Sequence, residues 1–247
     1  MTSPGEPASG TGVGEESLDN AVWWALGTGH ADLAESKGRA RRYPTDVSVF
    51  AGVDVLDEDS WDDLRRLAGP SAGLSLFRAE VPARPDGWIE RRRGHGRQMT
   101  VTADTLADDD VDTGVARRRL TSDDVGEMLA LVGLTEPGPF AERTVEMGRY
   151  WGHFDEHGWL VAMAGERLHL DGWTEISAVC THPSARGRGL AATLTRHVAT
   201  EILERGETPF LHVRADNESA RRVYDRLGFA ERRLVEFAYL VTPPDPA

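Results

Sequence analysis

The segment Arg186–Ala192, which reads RGRGLAA, is the feature that most constrains how this chain can fold. A strand-like run, GWTEISAVC, precedes it, and a helix-like run that ends at Gly206 follows it. The first amides of a helix have no intrahelical acceptor, and the helix dipole favours negative charge at that end. A glycine-rich loop between a strand and a helix is therefore typical of a phosphate-binding site in an α/β protein.

Two familiar phosphate loops fit this segment poorly. A Walker A loop needs a lysine and a Ser or Thr after its last glycine, but Gly189 is followed by Leu190. A dinucleotide loop, G-x-G-x-x-A, is matched by Gly187, Gly189 and Ala192. In that loop, however, the glycines follow the strand almost directly, whereas THPSAR intervenes here after Cys180. ATP binding by a Walker loop is excluded, and a Rossmann-type oxidoreductase stays open as an alternative.

A third pattern, Q/R-x-x-G-x-G/A, fits the same loop and is accompanied by a second motif downstream. NESARRVYDRLGF matches N-x-x-A-x-x-x-Y-x-x-x-G-F, and TEISAVCTHP has the form of the strand that precedes such a loop. Together these motifs resemble the GNAT superfamily of N-acetyltransferases, and most closely the branch with glycine N-acyltransferase-like domains. The resemblance covers about residues 113–240. The matched positions are Arg186, Gly189 and Ala191 in the loop and Asn217, Ala220, Tyr224, Gly228 and Phe229 downstream.

The order of predicted elements agrees with that resemblance. From Val115 onward the patterns give β-α-α-β-β-β-α-β-α-β, which implies an α/β (α+β) fold with a mixed, mostly antiparallel sheet flanked by helices. An additional small α/β module, which could be a degenerate GNAT-like domain, precedes it. The predicted organisation is a flexible tail at 1–18, the module at 19–103, an acidic linker at 104–112 and the GNAT domain at 113–247.

The resemblance implies acetyl-CoA as the acyl donor and a coenzyme site on the loop. Small residues let the main chain close on the pyrophosphate, and the splayed strand before the loop offers its backbone to the pantetheine arm. Asn217 is also expected to cap the next helix. The implied coenzyme-binding residues are Val179, Cys180, Thr181, Arg186, Gly187, Arg188, Gly189, Leu190, Ala191, Ala192, Asn217 and Tyr224.

Two side chains are candidates for the chemistry of an amine attacking a thioester. An alkylamine has a pKa of about 10 and must lose a proton, so a base is needed. Glu175 is the predicted base; strand alternation would put it on the same side as Ser177, Val179 and Thr181, with Cys180 opposite in the core. Tyr224 is the predicted acid for the departing thiolate. The structural alternatives are a solvated strand end for Glu175 and core packing for Tyr224.

Composition limits the partners. The formal net charge of −13 disfavours nucleic acid, and no apolar run approaches the ~20 residues that span a bilayer. A single cysteine and a start without a signal-peptide pattern predict a cytoplasmic protein. His153 and His157 lie across a predicted hairpin rather than on one helical face, so no metal site is predicted. The expected acceptor is a small-molecule or peptide amine. A non-catalytic acyl-CoA-binding protein on the same fold is the alternative function.

Overall fold

One continuous sheet of eleven strands organises the described part of the chain, residues 14–108 and 115–245 of this computed structural model. The strand order is β1-β2-β3-β4-β11-β5-β10-β9-β8-β7-β6. The strands are β1 (Glu35–Lys37), β2 (Ala40–Arg42), β3 (Phe50–Val53), β4 (Gly73–Arg78), β5 (Ile89–Thr100), β6 (Ala116–Leu120), β7 (Tyr150–Phe154), β8 (Leu160–Leu170), β9 (Trp173–Thr181), β10 (Thr208–Arg214) and β11 (Ala230–Val241).

Among the described residues, five α-helices pack on the two faces of this sheet. Each buries apolar side chains against the strands. The helices are α1 (Ala21–Ala25), α2 (Glu58–Ala68), α3 (Val125–Thr135), α4 (Leu190–Glu204) and α5 (Glu218–Arg226).

Apart from one predicted helix, the second half of the chain has the predicted order of elements, and its fold class is confirmed. Strands β6 to β9 form antiparallel neighbours, whereas β10 runs parallel to β9 after the crossover through α4. The second predicted helix, GPFAERTVEMG, is instead a single 3-10 turn at Thr144–Met147. The Thr144 hydroxyl donates to the carbonyl of Val47 at 2.6 Å, which fastens this turn to the first half of the chain.

The two halves exchange strands within the sheet. Strand β5, from the first half, lies between β10 and β11 of the second half and pairs antiparallel with both. Strand β11 in turn pairs with β4. The basic run ERRRGHGR, residues 90–97, is therefore the body of the long strand β5. The halves share one sheet because these long strands pair across the predicted linker, of which residues 109–112 lie outside the described residues.

Part of the predicted N-terminal tail, 1–18, is folded. Residues 15–20 form a 3-10 helix in which Ser17 and Leu18 are buried, and Leu18 packs with Tyr43 and Phe50. Residues 1–13 lie outside the described residues. The apolar side chain of Leu18 accounts for the folding of this segment, because it joins the core.

A β-bulge interrupts β9 and changes which side chains share a face. Met163 pairs with Cys180 and Gly165 with Ser177, so one residue of β8 faces both Ala178 and Val179. Ala178 has φ 53°, in the left-handed region. Beyond the bulge the parity is reversed: Val179 packs against the α4 cluster, and Cys180 packs on the other face with α3. The predicted placement of Glu175 and Val179 on one side is therefore wrong, because the extra residue shifts the alternation.

Helices α4 and α5 cover one face of the central strands, and α1 and α3 cover the other. The largest apolar cluster joins α4 and α5 to side chains of β9 and β10 such as Ile176 and Leu211. Clusters on the opposite face contain Phe210, Met163 and Cys180. Within residues 14–108 and 115–245, no helix combines the length and apolar character that crossing a membrane requires.

Candidate active site

The loop before α4 has the backbone of an anion-binding nest. Gly187 and Gly189 have φ of 76° and 80°, which L side chains rarely adopt, and a Cβ added at either would meet no described atom within 4 Å. Helix α4 then runs for 15 residues, so the open amides at Leu190, Ala191 and Ala192 carry the positive end of its dipole. The exposed side chains of Arg186 and Arg188 add positive charge. This surface fits a pyrophosphate that the main chain can approach closely.

The strand that leads to the loop separates from its parallel neighbour. Pairing of β9 with β10 runs from Trp173 opposite Thr208 to Ile176 opposite Leu211 and then ends. The bulge at Ala178–Val179 lies just beyond that point. The hydroxyl oxygen of Thr181 is buried, with no hydrogen-bond partner among the described residues. The gap between the strands and this unsatisfied atom fit an extended, polar arm such as pantetheine.

Helix α5 begins as predicted at Asn217. Its side-chain Oδ1 accepts from the amide of Ala220 at 3.1 Å, which caps the helix. The capped helix carries Tyr224, which is buried in the α4–α5 cluster beside the ring of Phe229. Burial, together with the neighbouring Cys180, raises the pKa of Tyr224 above its usual value. Tyr224 is therefore a protonated phenol at neutral pH.

Cys180 lies in the same region but is not a reactive thiol. It is buried among Met163, Tyr150 and α3, and burial raises its pKa to about 11. The Thr135 hydroxyl at the end of α3 donates to the carbonyl of Leu131 at 2.6 Å, and its oxygen lies beside the thiol. The side chain belongs to the core, as expected, although it lies on the opposite face from the one that alternation predicts.

Glu175 sits at the centre of a buried ion pair. Arg167 of β8 donates from Nε to Oε2 at 2.8 Å and from Nη2 to Oε1 at 2.6 Å, and His212 Nδ1 donates to Oε1 at 2.7 Å. Burial alone would raise the pKa of this carboxyl, but the Arg167 and His212 contacts outweigh it and lower the pKa to about 2. A carboxylate with such a pKa binds a proton weakly, so this geometry opposes direct proton abstraction. The role of Glu175 as the base remains a prediction.

A second layer fixes the protonation of His212. The amide oxygen of Gln98 accepts from Arg232 at 2.8 Å, and its nitrogen donates to the carbonyl of Leu18 at 2.9 Å. The same nitrogen lies 2.9 Å from His212 Nε2, so it donates to that atom, which must lack a proton. Burial lowers the pKa of His212, which agrees with a neutral imidazole protonated at Nδ1.

A cavity of about 790 Å³ opens where β9 and β10 part. His212 and Val213, the first residues of β10 beyond the paired stretch, form part of its floor. One wall comes from β3, β4, β5 and β11, and a second wall comes from the end of α3 and the segment that follows it. Its lining comprises Val49, Phe50, Ser75, Phe77, Arg92, Gly96, Val132, Gly133, Glu136, Pro137, Gly138, Pro139, Arg167, His212, Val213, Arg214, Phe237 and Tyr239.

Sequence reasoning missed three members of this site. Arg167 was not identified because the apolar run before it ends at Ala164, and the polar residues that follow suggest a turn. His212 lies in a predicted strand without a motif. The aromatic wall from Phe50 and Phe77 belongs to the first half of the chain, for which the sequence predicts no site residue. The available signal for the Arg167–Glu175 pair was one arginine and one glutamate in two neighbouring strands that are otherwise buried. Buried charges are expected to pair with each other.

The two histidines considered for a metal have other surroundings. His153 contacts the carbonyl of Val115 at 3.1 Å and the Thr193 hydroxyl at 3.1 Å, whereas His157 is exposed in the hairpin turn. Throughout the described part of the chain, no group of three or more His, Cys, Asp or Glu side chains could hold a metal ion.

Comparison with known proteins agrees with this geometry. Residues 150–238 match the FR47-like protein family. A solved structure from Novosphingobium aromaticivorans, assigned to the GNAT family of acetyltransferases, is 36% identical, has a TM-score of 0.81, and aligns over 90% of this chain and 97% of its own. A GCN5-related N-acetyltransferase from Kribbella flavida has the same fold, with a TM-score of 0.65 at 18% identity over 92% of this chain and 96% of its own.

Curated relatives match only part of their length. Mycothiol acetyltransferase from Mycobacteroides abscessus is 37% identical over 105 residues, and that from Streptomyces scabiei is 37% identical over 109 residues. Each match covers 38% of this chain and 34% of the relative, so the similarity spans about a third of those proteins.

Proposed function

The chain belongs to the GNAT family of acetyltransferases, and we propose that it transfers the acetyl group of acetyl-CoA to a primary amine by direct attack. One observation carries this proposal. The glycine nest at the start of α4 and the parting of β9 from β10 lie at the same end of β9, and a cavity that could admit an amine opens beyond the last paired residue of β10.

The coenzyme would occupy the residues whose backbone is open. The amides from Gly187 to Ala192 would hold the pyrophosphate, and Arg186 and Arg188 would add charge at its edge. The backbone at Val179, Cys180 and Thr181 would bind the pantetheine arm in the gap beside β10, with Asn217 close by at the start of α5. Bound there, acetyl-CoA supplies a thioester carbonyl as the electrophile.

Tyr224 would act as the general acid. The amine nitrogen forms a bond to the thioester carbon, and the carbon–sulfur bond breaks with its electron pair on sulfur. Thiolates have a reference pKa of about 8.5. The buried phenol of Tyr224, which stays protonated at neutral pH, would donate the proton that completes the departing thiol.

The amine must also lose a proton, and Glu175 remains the base that the sequence predicts. Its ion pair with Arg167 sets the condition for that role, because Arg167 has to move before an oxygen of Glu175 is free. In the closed arrangement seen here, Glu175 holds Arg167 and His212 in place at the floor of the cavity. Exchange of Glu175 for glutamine tests the two roles through the pH profile of turnover.

The acceptor is proposed to be a small-molecule or peptide amine. Because the curated relatives are named mycothiol acetyltransferases, a panel of test acceptors should include an amine related to mycothiol. We also propose a cytoplasmic location without nucleic-acid or membrane partners, which the net charge of −13 and the single buried cysteine support.

Coenzyme binding provides the first experiment. Coenzyme A should raise the melting temperature, and NADH should not. Gly189→Asp should abolish the rise, because a side chain and a negative charge would enter the nest. Gly206→Asp is the matched control: Gly206 has φ 79° and equally open surroundings, but it lies at the other end of α4. Stabilisation by NADH instead of coenzyme A would contradict the proposal.

Measuring turnover distinguishes the proposed acetyltransferase from a non-catalytic acyl-CoA-binding protein. An acyltransferase releases coenzyme A thiol only when a suitable amine is present, whereas a binding protein shows the thermal shift without amine-dependent release.

A further inference from the structure

The cavity described above carries charges of opposite sign on its two walls. The further inference rests on the proposed function, because it assumes that the acceptor enters this cavity to reach a thioester between β9 and β10. His212 and Val213 place the cavity at that parting point.

The wall that follows α3 carries the negative charge. Glu136 is the one acidic side chain among the described residues that line the cavity, and it is exposed. It is the C-cap of α3, with φ 47° and ψ 53°, the left-handed conformation in which helices commonly end. It directly follows α3, which packs on Cys180 of β9. Glu136 therefore lines the cavity from the helix that packs beside the bulge of β9.

The wall formed by the strands carries a positive charge that no ion pair among the described residues occupies. Arg214 is paired with Asp216 at 2.6 Å, and Arg167 is paired with Glu175. Arg92 of β5 has no carboxylate within 4 Å among the described residues, and its guanidinium lies 5.7 Å from the centre of the Phe237 ring. Its charge acts on Asp216 at longer range, but no ion pair occupies its guanidinium donors, which are open to a carboxylate.

Two further features shape the space between these charges. Arg167 uses Nε and Nη2 for Glu175, and its Nη1 has no hydrogen-bond partner within residues 14–108 and 115–245. Its guanidinium also lies 5.0 Å from the ring of Phe50. The rings of Phe50, Phe77 and Phe237 line the interior. The cavity is thus apolar in its middle, with a donor at its floor.

We propose that the acceptor is a primary amine that also carries a carboxylate, separated by an apolar body, as in an amino acid or a short peptide. Its ammonium group meets Glu136, and its carboxylate meets Arg92 and the free edge of Arg167. In place of Glu175, whose two oxygens are held by Arg167 and His212, the Glu136 carboxylate takes the ammonium proton, which leaves a lone pair on nitrogen for the attack. The thiolate that departs takes its proton from Tyr224, so both proton transfers are balanced.

Binding tests the charge pattern without requiring turnover. Calorimetry on the coenzyme A complex compares L-phenylalanine with L-phenylalaninamide and phenethylamine, which keep the amine and the ring but lack the carboxylate. We expect phenylalanine to bind at least tenfold more tightly. A charge-assisted hydrogen bond typically corresponds to a ten- to hundredfold difference in affinity. Arg92→Gln should remove that preference and leave binding of the amide within about twofold.

Matched variants control for general effects. Arg91→Gln changes the preceding arginine of the same strand, which does not line the cavity, and should preserve the preference. Glu136→Gln should weaken all three amines, whereas Glu142→Gln, in the same segment but outside the lining, should not. Equal or tighter binding of the two neutral compounds, or no binding of any of the three, would overturn this inference.

Measuring turnover distinguishes a wrong acceptor class from a wrong proposed function. Acetylation of amines without a preference for the carboxylate refutes only the acceptor class. A carboxylate preference in binding without any acetylation refutes the proposed reaction and leaves the cavity assignment standing.

Discussion

Exchange of Glu175 for glutamine should destabilise the fold in a manner that depends on pH. The carboxyl has a pKa of about 2 in the folded protein against a usual value of 4.5. At about 1.4 kcal/mol for each pKa unit, that difference corresponds to about 3 kcal/mol of stability. Because the folded pKa is lowered, this contribution is fully present above pH 4.5 and is lost as the pH falls towards 2.

The loss at neutral pH follows from the same contacts. Glutamine offers one acceptor oxygen, so Arg167 would keep a buried charge without its counter-ion, which typically costs about 3–5 kcal/mol. Native domains are stable by only about 5–15 kcal/mol, so the variant should be clearly weaker but measurable. Urea unfolding of both proteins at several pH values between 2 and 7 gives the free energies of unfolding.

Two results would decide the reasoning. The free energies of wild type and Glu175→Gln should converge as the pH falls from 4.5 towards 2. The double variant Glu175→Gln/Arg167→Met should recover most of the loss at pH 7, because neither buried charge remains. Parallel curves for wild type and variant over the whole range would show that the ion pair contributes nothing.

Three further predictions concern the chemistry. Glu136→Gln should lower kcat/KM by about 10²–10⁴ at neutral pH, and this loss should shrink at high pH, where more amine is already neutral. Glu175→Gln, assayed under conditions where it is folded, should keep the wild-type dependence of kcat/KM on pH. A changed pH profile for Glu175→Gln with an unchanged one for Glu136→Gln would identify Glu175 as the base. Tyr224→Phe should carry a penalty that grows as the leaving thiol becomes more basic, measured with a series of acyl thioesters; a constant penalty would remove Tyr224 as the acid. A complex with coenzyme A should show all pyrophosphate contacts within residues 113–247, and a grip by Arg91 or Arg93 would contradict that division.

The parts of the site that the sequence predicted are local in the chain. The loop at Gly187–Gly189 and the cap at Asn217 each depend on residues within one turn of each other. Glycine at left-handed φ and an asparagine at a helix start have few other interpretations. The helix that carries Tyr224 follows from its cap, so its position was also predictable.

The parts that the sequence did not reveal depend on distant pairing. The bulge at Ala178 has no signal, because alanine is not a residue that marks left-handed backbone, and a single extra residue reverses every side chain after it. The insertion of β5 between β10 and β11 joins residues more than a hundred positions apart. The cavity wall from Phe50, Phe77 and Arg92 exists only because of that insertion.

The Arg167–Glu175 pair shows the same limit for electrostatics. The sequence indicated that a carboxylate in an apolar strand needs a reason, and catalysis was the one proposed. The other reason is that an arginine on the adjacent strand neutralises the carboxylate. The register between β8 and β9 determines whether that arginine lies beside Glu175. Local patterns could not supply that register, since β8 continues six residues beyond the apolar run that predicted it.

Amine-dependent thiol release from acetyl-CoA tests the central claim most directly. Purified protein is mixed with acetyl-CoA and each member of an amine panel, free thiol is measured with time, and the amine is analysed by mass spectrometry. The proposed function predicts thiol and N-acetylated amine in equal amounts for at least one acceptor, and loss of both with Gly189→Asp but not with Gly206→Asp. Tight binding of coenzyme A without any acetylated product from the whole panel would contradict it.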